Sequence, residues 1–166
     1  MADVRTSRFE LDGFRGRLLH PGDDGYDEAR KVFNAMIDRS PALVARCASA
    51  DDVAAVVKLA GAENLPLSVY GGGHGVTGSA VCDAGLCVDL RGMKGIEVDA
   101  AARTIRAEAG LTWGEVDAAT QEHGLAVTGG RMCRKQLRNL AGGAFFERVD
   151  LLEDVHHALR IVTALI

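Results

Sequence analysis

A glycine-rich stretch directly after a short apolar run constrains this chain more than any other feature. Residues 67–70 read as a β-strand, and five of the eight residues 71–78 are glycine. Glycine costs backbone entropy, so this density indicates a place where a ligand or another backbone approaches the main chain closely. Such a turn can present a concave array of N–H groups to a phosphate or another anion. A sharp turn without a ligand is the alternative interpretation.

Two known anion-binding motifs match this stretch in spacing but not in context. Residues 73–78 match G-x-G-x-x-G, which in dinucleotide-binding folds opens a crossover helix. The next apolar run begins at Leu86, and the seven residues 79–85 are too few for such a helix, which needs roughly ten. The same stretch has the glycine spacing of a P-loop, but Ser79 stands where that motif requires lysine. Neither motif is therefore assigned.

The first half of the chain has the pattern of an α/β unit. Residues 43–46 and 67–70 are short apolar strand candidates, and residues 17–19 are a third. Ser49 has the character of a helix cap. One face of the helix that would follow it is apolar, at Val53, Val56, Val57 and Ala60. A strand, a helix and a second strand predict a right-handed parallel unit, with the glycine-rich turn at the carboxyl end of the second strand.

A further helix is predicted over residues 26–37, capped by Asp23 or Asp24. Apolar side chains recur there at helical spacing, at Ala29, Val32, Phe33, Met36 and Ile37. Phe33 and Met36 are accordingly expected in the core.

The second half predicts mainly antiparallel structure. Residues 95–98 and 104–107 alternate between apolar and polar and predict a hairpin. Residues 112–115 form a capping-box pattern, and the helix that they begin is expected to end near His123. Residues 149–166 have apolar positions that suggest a helix and then, over 159–164, a strand.

Composition limits the class of protein. The chain has 166 residues, of which 48% are hydrophobic and 25% charged, with a net charge of −4. These values are typical of a soluble globular domain and do not favour nucleic-acid binding. No signal-peptide pattern or membrane-length apolar run is present, so a cytoplasmic location is the expectation. The cysteines lack C-x-x-C spacing and are expected to be reduced and mostly buried, not metal ligands: Cys47, Cys82, Cys87 and Cys133.

The glycine-rich stretch resembles a known family. The run Tyr70-Gly71-Gly72-Gly73-His74-Gly75, with Gly78 and residues 82–90, resembles the FAD-linked oxidases of the vanillyl-alcohol-oxidase type. Within these it is most similar to the branch of the berberine bridge enzyme and 6-hydroxynicotine oxidase. The resemblance extends from about residue 13 to residue 130. Tyr70 stands where family members usually have arginine.

The resemblance implies a cofactor and a site. Family members bind the FAD pyrophosphate on the loop N–H groups and bond the histidine covalently to the flavin 8α-methyl group, which implies covalent FAD through His74. Gly129 and Gly130 would lie near the other side of the cofactor. The implied cofactor-binding residues are Tyr70, Gly71, Gly72, Gly73, His74, Gly75, Gly78, Ser79, Thr128, Gly129 and Gly130. Residues 131–143 have long basic side chains where the family has small ones, so this segment is either remodelled or disturbed in reading frame.

The implied fold is an α+β, PCMH-type FAD-binding domain. Residues 1–80 would form a first subdomain and residues 81–166 an incomplete second one, without the substrate domain of the family. The implied activity is hydride transfer from a C–H bond next to oxygen or nitrogen to the flavin, with reoxidation by O₂. A non-catalytic flavin-binding fragment and an α/β domain with another phosphate ligand are the alternatives.

Partners and catalytic groups are less constrained. A small-molecule substrate is expected, without nucleic-acid or membrane partners, and the apolar face left uncovered predicts self-association. No general base is named, and three carboxylates that come into question are expected to be structural: Asp83, Asp89 and Glu115. Trp113 is either a core anchor or a residue packed near the cofactor.

Overall fold

The computed structural model describes residues 8–127 and the backbone of a strand at Val162–Leu165. Chain contacts divide it into two compact units, Met1–Gly92 and Met93–Ile166. The elements, in chain order, are β1 (Arg17–Leu19), α1 (Tyr26–Ala29), β2 (Leu43–Arg46), α2 (Ala50–Ala62), β3 (Leu67–Tyr70), β4 (Leu86–Asp89), β5 (Ile96–Asp99), β6 (Thr104–Ala107), α3 (Trp113–Gln121) and β7 (Val162–Leu165).

The first unit is built on a four-stranded sheet in the order β1-β2-β4-β3. β4 is parallel to both of its neighbours, with Cys87 opposite Val44 on one side and Ser68 on the other. All four residues of β4 are buried, as expected for a central strand. β2 and β3 therefore run in the same direction, as predicted, but β4 lies between them.

β4 belongs to the first unit, which extends to Gly92. It completes the parallel sheet by pairing with both β2 and β3. The subdomain boundary expected at residue 80 stays a prediction.

Helix α2 begins as its sequence predicts. The Ser49 hydroxyl accepts a hydrogen bond from the Asp52 N–H group, at 3.2 Å. The buried Asp52 carboxylate in turn accepts from the N–H groups of Arg15 and Ala48, at 2.9 and 2.8 Å. A helix N-terminus favours such an acidic residue in its first turn. The first turn of α2 is therefore also hydrogen-bonded to the backbone at Arg15 and Ala48, which precede the helix in the chain.

The predicted helix over residues 26–37 is wrong beyond its first turn. α1 ends at Ala29, and the side chains of Phe33 and Met36 are 72% and 90% exposed instead of buried. Gly25 occupies the cap position, with a φ of 83°, while the Asp23 carboxylate accepts the N–H group of His20 instead. Neither predicted aspartate caps this helix.

Tertiary hydrogen bonds end the helix. The Ala29 carbonyl accepts the Arg91 guanidinium at 3.0 Å, and the Lys31 carbonyl accepts the Tyr70 hydroxyl at 2.6 Å. The Phe33 N–H group donates to the Gly73 carbonyl at 3.0 Å. A helix would need the Phe33 N–H group to bond the carbonyl of residue 29. These contacts with the rest of the unit replace the helical ones.

The second unit contains the predicted hairpin and helix. β5 and β6 are antiparallel, and β6 also pairs with β7, which lies at residues 162–165, one to three residues later than predicted. α3 begins with a complete capping box between Thr112 and Glu115. Trp113 is a core anchor, 3% exposed, and packs with Ile105, Ala107, Leu111 and Val116. The predicted helix before residue 159 lies outside the described residues.

Candidate functional site

The glycine loop, defined here as residues 71–79, leaves the carboxyl end of β3. Residues 71–85, between β3 and β4, form turns and bends without helix or strand. This confirms that no crossover helix follows the glycine-rich stretch. The loop therefore lies at the edge of the parallel sheet where ligands of open α/β sheets bind.

Carbonyl groups of the glycine loop are paired with protein donors, while most of its N–H groups are not. The carbonyls of Gly73, Val76 and Gly78 accept hydrogen bonds from the Phe33 N–H group, the Asn34 side chain and the Arg39 side chain, at 3.0, 2.9 and 3.0 Å. Within residues 8–127, the N–H groups of residues 71–77 have no acceptor. Gly71 and Gly73 are buried, whereas residues 75–77 are exposed. Buried N–H groups are rarely left unpaired, so the unpaired N–H groups of Gly71 and Gly73 fit an anionic ligand.

His74 lies in the middle of this loop and is half-buried. Its ring centroid is 6.0 Å from that of Phe33, with the two planes tilted by 60°. Among the described residues the imidazole has no hydrogen-bond partner. Both ring nitrogens are therefore free of competing contacts with this part of the chain.

Tyr70 lies beneath the loop instead of lining an open surface. Its side chain is 5% exposed, and its hydroxyl donates to the Lys31 carbonyl at 2.6 Å. The Arg91 guanidinium lies 4.1 Å from the centre of its ring, a cation–π contact. Burial raises the pKa of the phenol. The side chain of Tyr70 thus supports the loop, in a position where the family usually has a cationic one.

A buried carboxylate organises the strand ends next to the loop. Asp89 has no exposed surface and accepts from Arg91 Nε and Nη2 at 2.9 and 2.8 Å and from Arg46 Nε at 3.1 Å. Burial alone would raise the pKa of Asp89, but its hydrogen bonds with Arg91 and the Arg91 charge outweigh burial and lower it. Two arginines around one carboxylate leave one net positive charge here.

The other two candidate carboxylates are also structural, as expected. Asp83 accepts the Ser40 N–H group at 2.9 Å. Glu115 bonds the Lys94 ammonium at 2.8 Å and completes the capping box of α3. Each of the three carboxylates therefore has a structural contact in the described part of the chain.

Sequence reasoning found the loop but missed the residues that hold it. Phe33 and Asn34 come from a segment that the apolar pattern assigned to a helix, and Arg39 follows that segment without belonging to any motif, so no sequence signal identified them. The remaining predicted site residues, Thr128, Gly129 and Gly130, lie outside the described residues. Gly75 and Ser79 are exposed, and Gly71, Gly73 and Gly78 are buried. No cluster of metal-ligating side chains occurs within the described ranges.

Comparison with known proteins identifies the family. Residues 41–164 match the family of proteins described as FAD binding domain. The (R)-6-hydroxynicotine oxidase of Paenarthrobacter nicotinovorans is 35% identical over 116 residues, which cover 70% of this chain and 25% of that protein. The chain therefore spans about a quarter of the length of this curated relative.

Solved structures show the same fold. The crystal structure of 6-hydroxy-D-nicotine oxidase from Arthrobacter nicotinovorans matches with a TM-score of 0.72 and 32% identity, over 76% of this chain and 29% of that one. BBE-like 1 of Physcomitrella patens matches with a TM-score of 0.69 and 24% identity, over 74% of this chain and 27% of that one. These matches confirm the predicted resemblance and the α+β fold of PCMH-type FAD-binding domains.

Proposed function

Because this chain belongs to the family of FAD-binding domains of FAD-linked oxidoreductases, we propose that it is the cofactor-binding part of a flavin-dependent oxidase. Its glycine loop would hold the FAD pyrophosphate. When bound, the flavin would accept a hydride from a C–H bond next to oxygen or nitrogen of a small-molecule substrate and pass the electrons to O₂. The protein would orient the flavin and the substrate and set the polarity of their surroundings.

The observation that supports this proposal is the set of unpaired N–H groups in the glycine loop. Residues 71–77 present these groups at the end of a parallel strand, and the carbonyls of Gly73, Val76 and Gly78 are bonded to other parts of the protein. Phosphate oxygens accept hydrogen bonds but donate none at neutral pH. An array of unpaired donors therefore suits a pyrophosphate.

His74 is the proposed point of covalent attachment to the flavin. It lies within the glycine loop, is half-buried, and has ring nitrogens without a partner among the described residues. A histidine engaged in an ion pair or a buried hydrogen bond would be less available for a C–N bond. Phe33, 6.0 Å away between ring centroids, gives that side of the imidazole an apolar neighbour.

One alternative is favoured by a specific observation. Asp83, Asp89 and Glu115 are all engaged in structural bonds, so a general base among them would have to break an existing contact. A flavin-binding fragment without turnover of its own is therefore the second candidate. Hydrogen peroxide production with candidate alcohols or amines separates the two.

Location and association are part of the same proposal. The described part of the chain has no helix long and apolar enough to cross a membrane. We propose a cytoplasmic protein without nucleic-acid or membrane partners, in keeping with the net charge of −4 and the free thiols of Cys47, Cys82 and Cys87. Self-association is proposed because Phe33, Met36 and Val76 are exposed apolar side chains of the same unit.

The first experiment is flavin fluorescence of the denatured protein on a gel. It compares the 166-residue chain with His74→Ala and with His123→Ala, an exposed histidine outside the loop. A fluorescent band in the first and third samples that is lost in His74→Ala would support covalent FAD at this residue. A dark band from yellow protein would overturn the covalent link but keep FAD binding.

Colourless protein that does not bind added FAD would count against the whole proposal. The absorbance spectrum of the purified chain, before and after incubation with FAD and gel filtration, gives this result independently of the gel.

A further inference from the structure

One non-helical segment, residues 31–39, provides donors for three carbonyl groups of the glycine loop, those of Gly73, Val76 and Gly78. We propose that Arg39, together with Asn34, is a positioning residue for the cofactor. It would fix the loop peptides so that their N–H groups remain available to the pyrophosphate. This inference rests on the proposed function, and it concerns residues outside the glycine-histidine motif.

Peptide geometry connects the carbonyl bonds to the free N–H groups. All described peptide bonds are trans, and in a trans peptide the C=O and N–H groups point in opposite directions. The Gly73 carbonyl bonds Phe33, the Val76 carbonyl bonds Asn34, and the Gly78 carbonyl bonds Arg39. The N–H groups of the following residues, His74, Thr77 and Ser79, therefore point away from the segment.

Arg39 contacts both the loop and the residues that follow it. Its Nη1 atom donates to the carbonyl of Gly78, in the loop, at 3.0 Å and to the carbonyl of Val81, after the loop, at 2.8 Å. The Asn34 side chain bonds one loop carbonyl, that of Val76. Arg39 is half-buried, and among residues 8–127 no carboxylate lies within ion-pairing distance of it. A guanidinium group therefore lies next to a loop suited to an anion.

The segment is itself fixed in place. The Arg30 side chain bonds the carboxylates of Asp27 and Asp38 and the backbone carbonyl of Arg39. The Ile37 side chain packs on Gly78 so closely that a Cβ atom there would lie 2.5 Å from Ile37 Cγ2. A donor on a fixed segment positions an acceptor more effectively than a donor on a free side chain, since less entropy is lost when the bond forms.

The test uses the 166-residue chain and three variants. Arg39→Met removes both hydrogen bonds and the charge, and Arg39→Lys keeps the charge and one donor group. The control is Arg17→Met, which removes an exposed arginine that bonds the Asp24 carbonyl. Titrations with FAD and with inorganic pyrophosphate measure affinity, and hydrogen exchange of the Phe33 amide reports whether its bond to the loop persists.

We expect Arg39→Met to weaken both ligands about tenfold, the effect of losing roughly one charged hydrogen bond. Hydrogen exchange of the Phe33 amide should be faster in Arg39→Met than in the unchanged chain. Arg39→Lys should recover part of the affinity for both ligands. Arg17→Met should bind them as tightly as the unchanged chain does. Equal affinity of Arg39→Met and the unchanged chain would overturn the inference while leaving the proposed function intact. So would equal losses in Arg39→Met and Arg17→Met.

Failure of the unchanged chain to bind either ligand would overturn the proposed function instead, and the cofactor role of Arg39 with it. Unaltered Phe33 exchange in Arg39→Met would separately disprove that Arg39 holds the loop, because this measurement needs no ligand.

Discussion

The Tyr70 hydroxyl lies 2.5 Å from the point where a Cβ atom would stand at Gly73. Real Cβ atoms do not approach other heavy atoms this closely, so the last residue of β3 excludes any side chain at the third glycine of the loop. Gly73 also has a φ of +64°, in the left-handed region that glycine adopts without steric cost. The closeness of the Tyr70 hydroxyl and the left-handed backbone conformation therefore both require glycine at position 73.

Gly73→Ala should destabilise the protein, because the methyl group meets the Tyr70 ring and the backbone stays left-handed. The left-handed term alone is about 1–2 kcal/mol. Urea unfolding measures the difference, with Gly75→Ala as the matched control. Gly75 has an ordinary φ, and its nearest non-local atom is Ser79 Oγ at 3.7 Å. Equal unfolding midpoints for the two variants would contradict the prediction.

Asp89→Asn should also be destabilising, by about 3 kcal/mol, since it removes the negative charge that compensates Arg46 and Arg91. The pKa of Asp89 is lowered in the folded protein, so its contribution is present above its ordinary value of 3.8 and is lost as the pH falls below it. Unfolding free energy measured between pH 7 and pH 3 should fall less steeply in the variant. The exposed Asp12→Asn is the control, and parallel pH curves for all three proteins would disprove the role of Asp89.

Glu115 should titrate at unusually low pH. Burial opposes ionisation and is the largest single effect, but the bonds from Lys94 and Thr112 together outweigh it and lower the pKa of Glu115 from 4.5 to about 2. Its contribution to the stability of α3 should therefore be complete above pH 4.5 and be lost between about pH 4.5 and pH 2. Carboxyl carbon NMR measures the titration directly. A midpoint near 4.5 for Glu115 would show that the capping box does not hold the charge.

Two buried thiols should resist alkylation in the native state. Burial raises the pKa of Cys47 and of Cys87 to about 12, so almost no thiolate exists at pH 8. Cys82 is only partly buried and should react first among the three. Iodoacetamide labelling followed by peptide mass spectrometry, with and without urea, measures this order. Labelling of Cys87 as fast as Cys82 without urea would contradict the described packing.

Met36→Glu should reduce self-association without destabilising the monomer, because the Met36 side chain is 90% exposed and contributes little to the core. Sedimentation velocity over a range of concentrations measures the change. Gln121→Glu, an exposed helix position, controls for the one added negative charge. An unchanged sedimentation profile would show that this apolar surface is not used for association.

Local patterns determined most of the elements. The strands at 43–46 and 67–70, the cap at Ser49, the hairpin and the capping box at Thr112 all depend on neighbouring residues. Propensity, alternation and side-chain bonds to nearby N–H groups are therefore sufficient to predict them. The glycine loop also follows from local composition, because only glycine allows so close an approach to the backbone.

Tertiary structure decided what depends on distant partners. The segment that begins at Ala29 has helical periodicity. However, the carbonyls of Ala29 and Lys31 accept hydrogen bonds from the Arg91 and Tyr70 side chains, and the Phe33 N–H group donates to a carbonyl of the glycine loop. The pairing of β4 with β2, and the support of the loop by Arg39, likewise join residues about 40 positions apart. Such bonds leave no periodicity in the sequence. Their free energy appears only when the fold brings donor and acceptor together, and here it exceeds the local preference for helix.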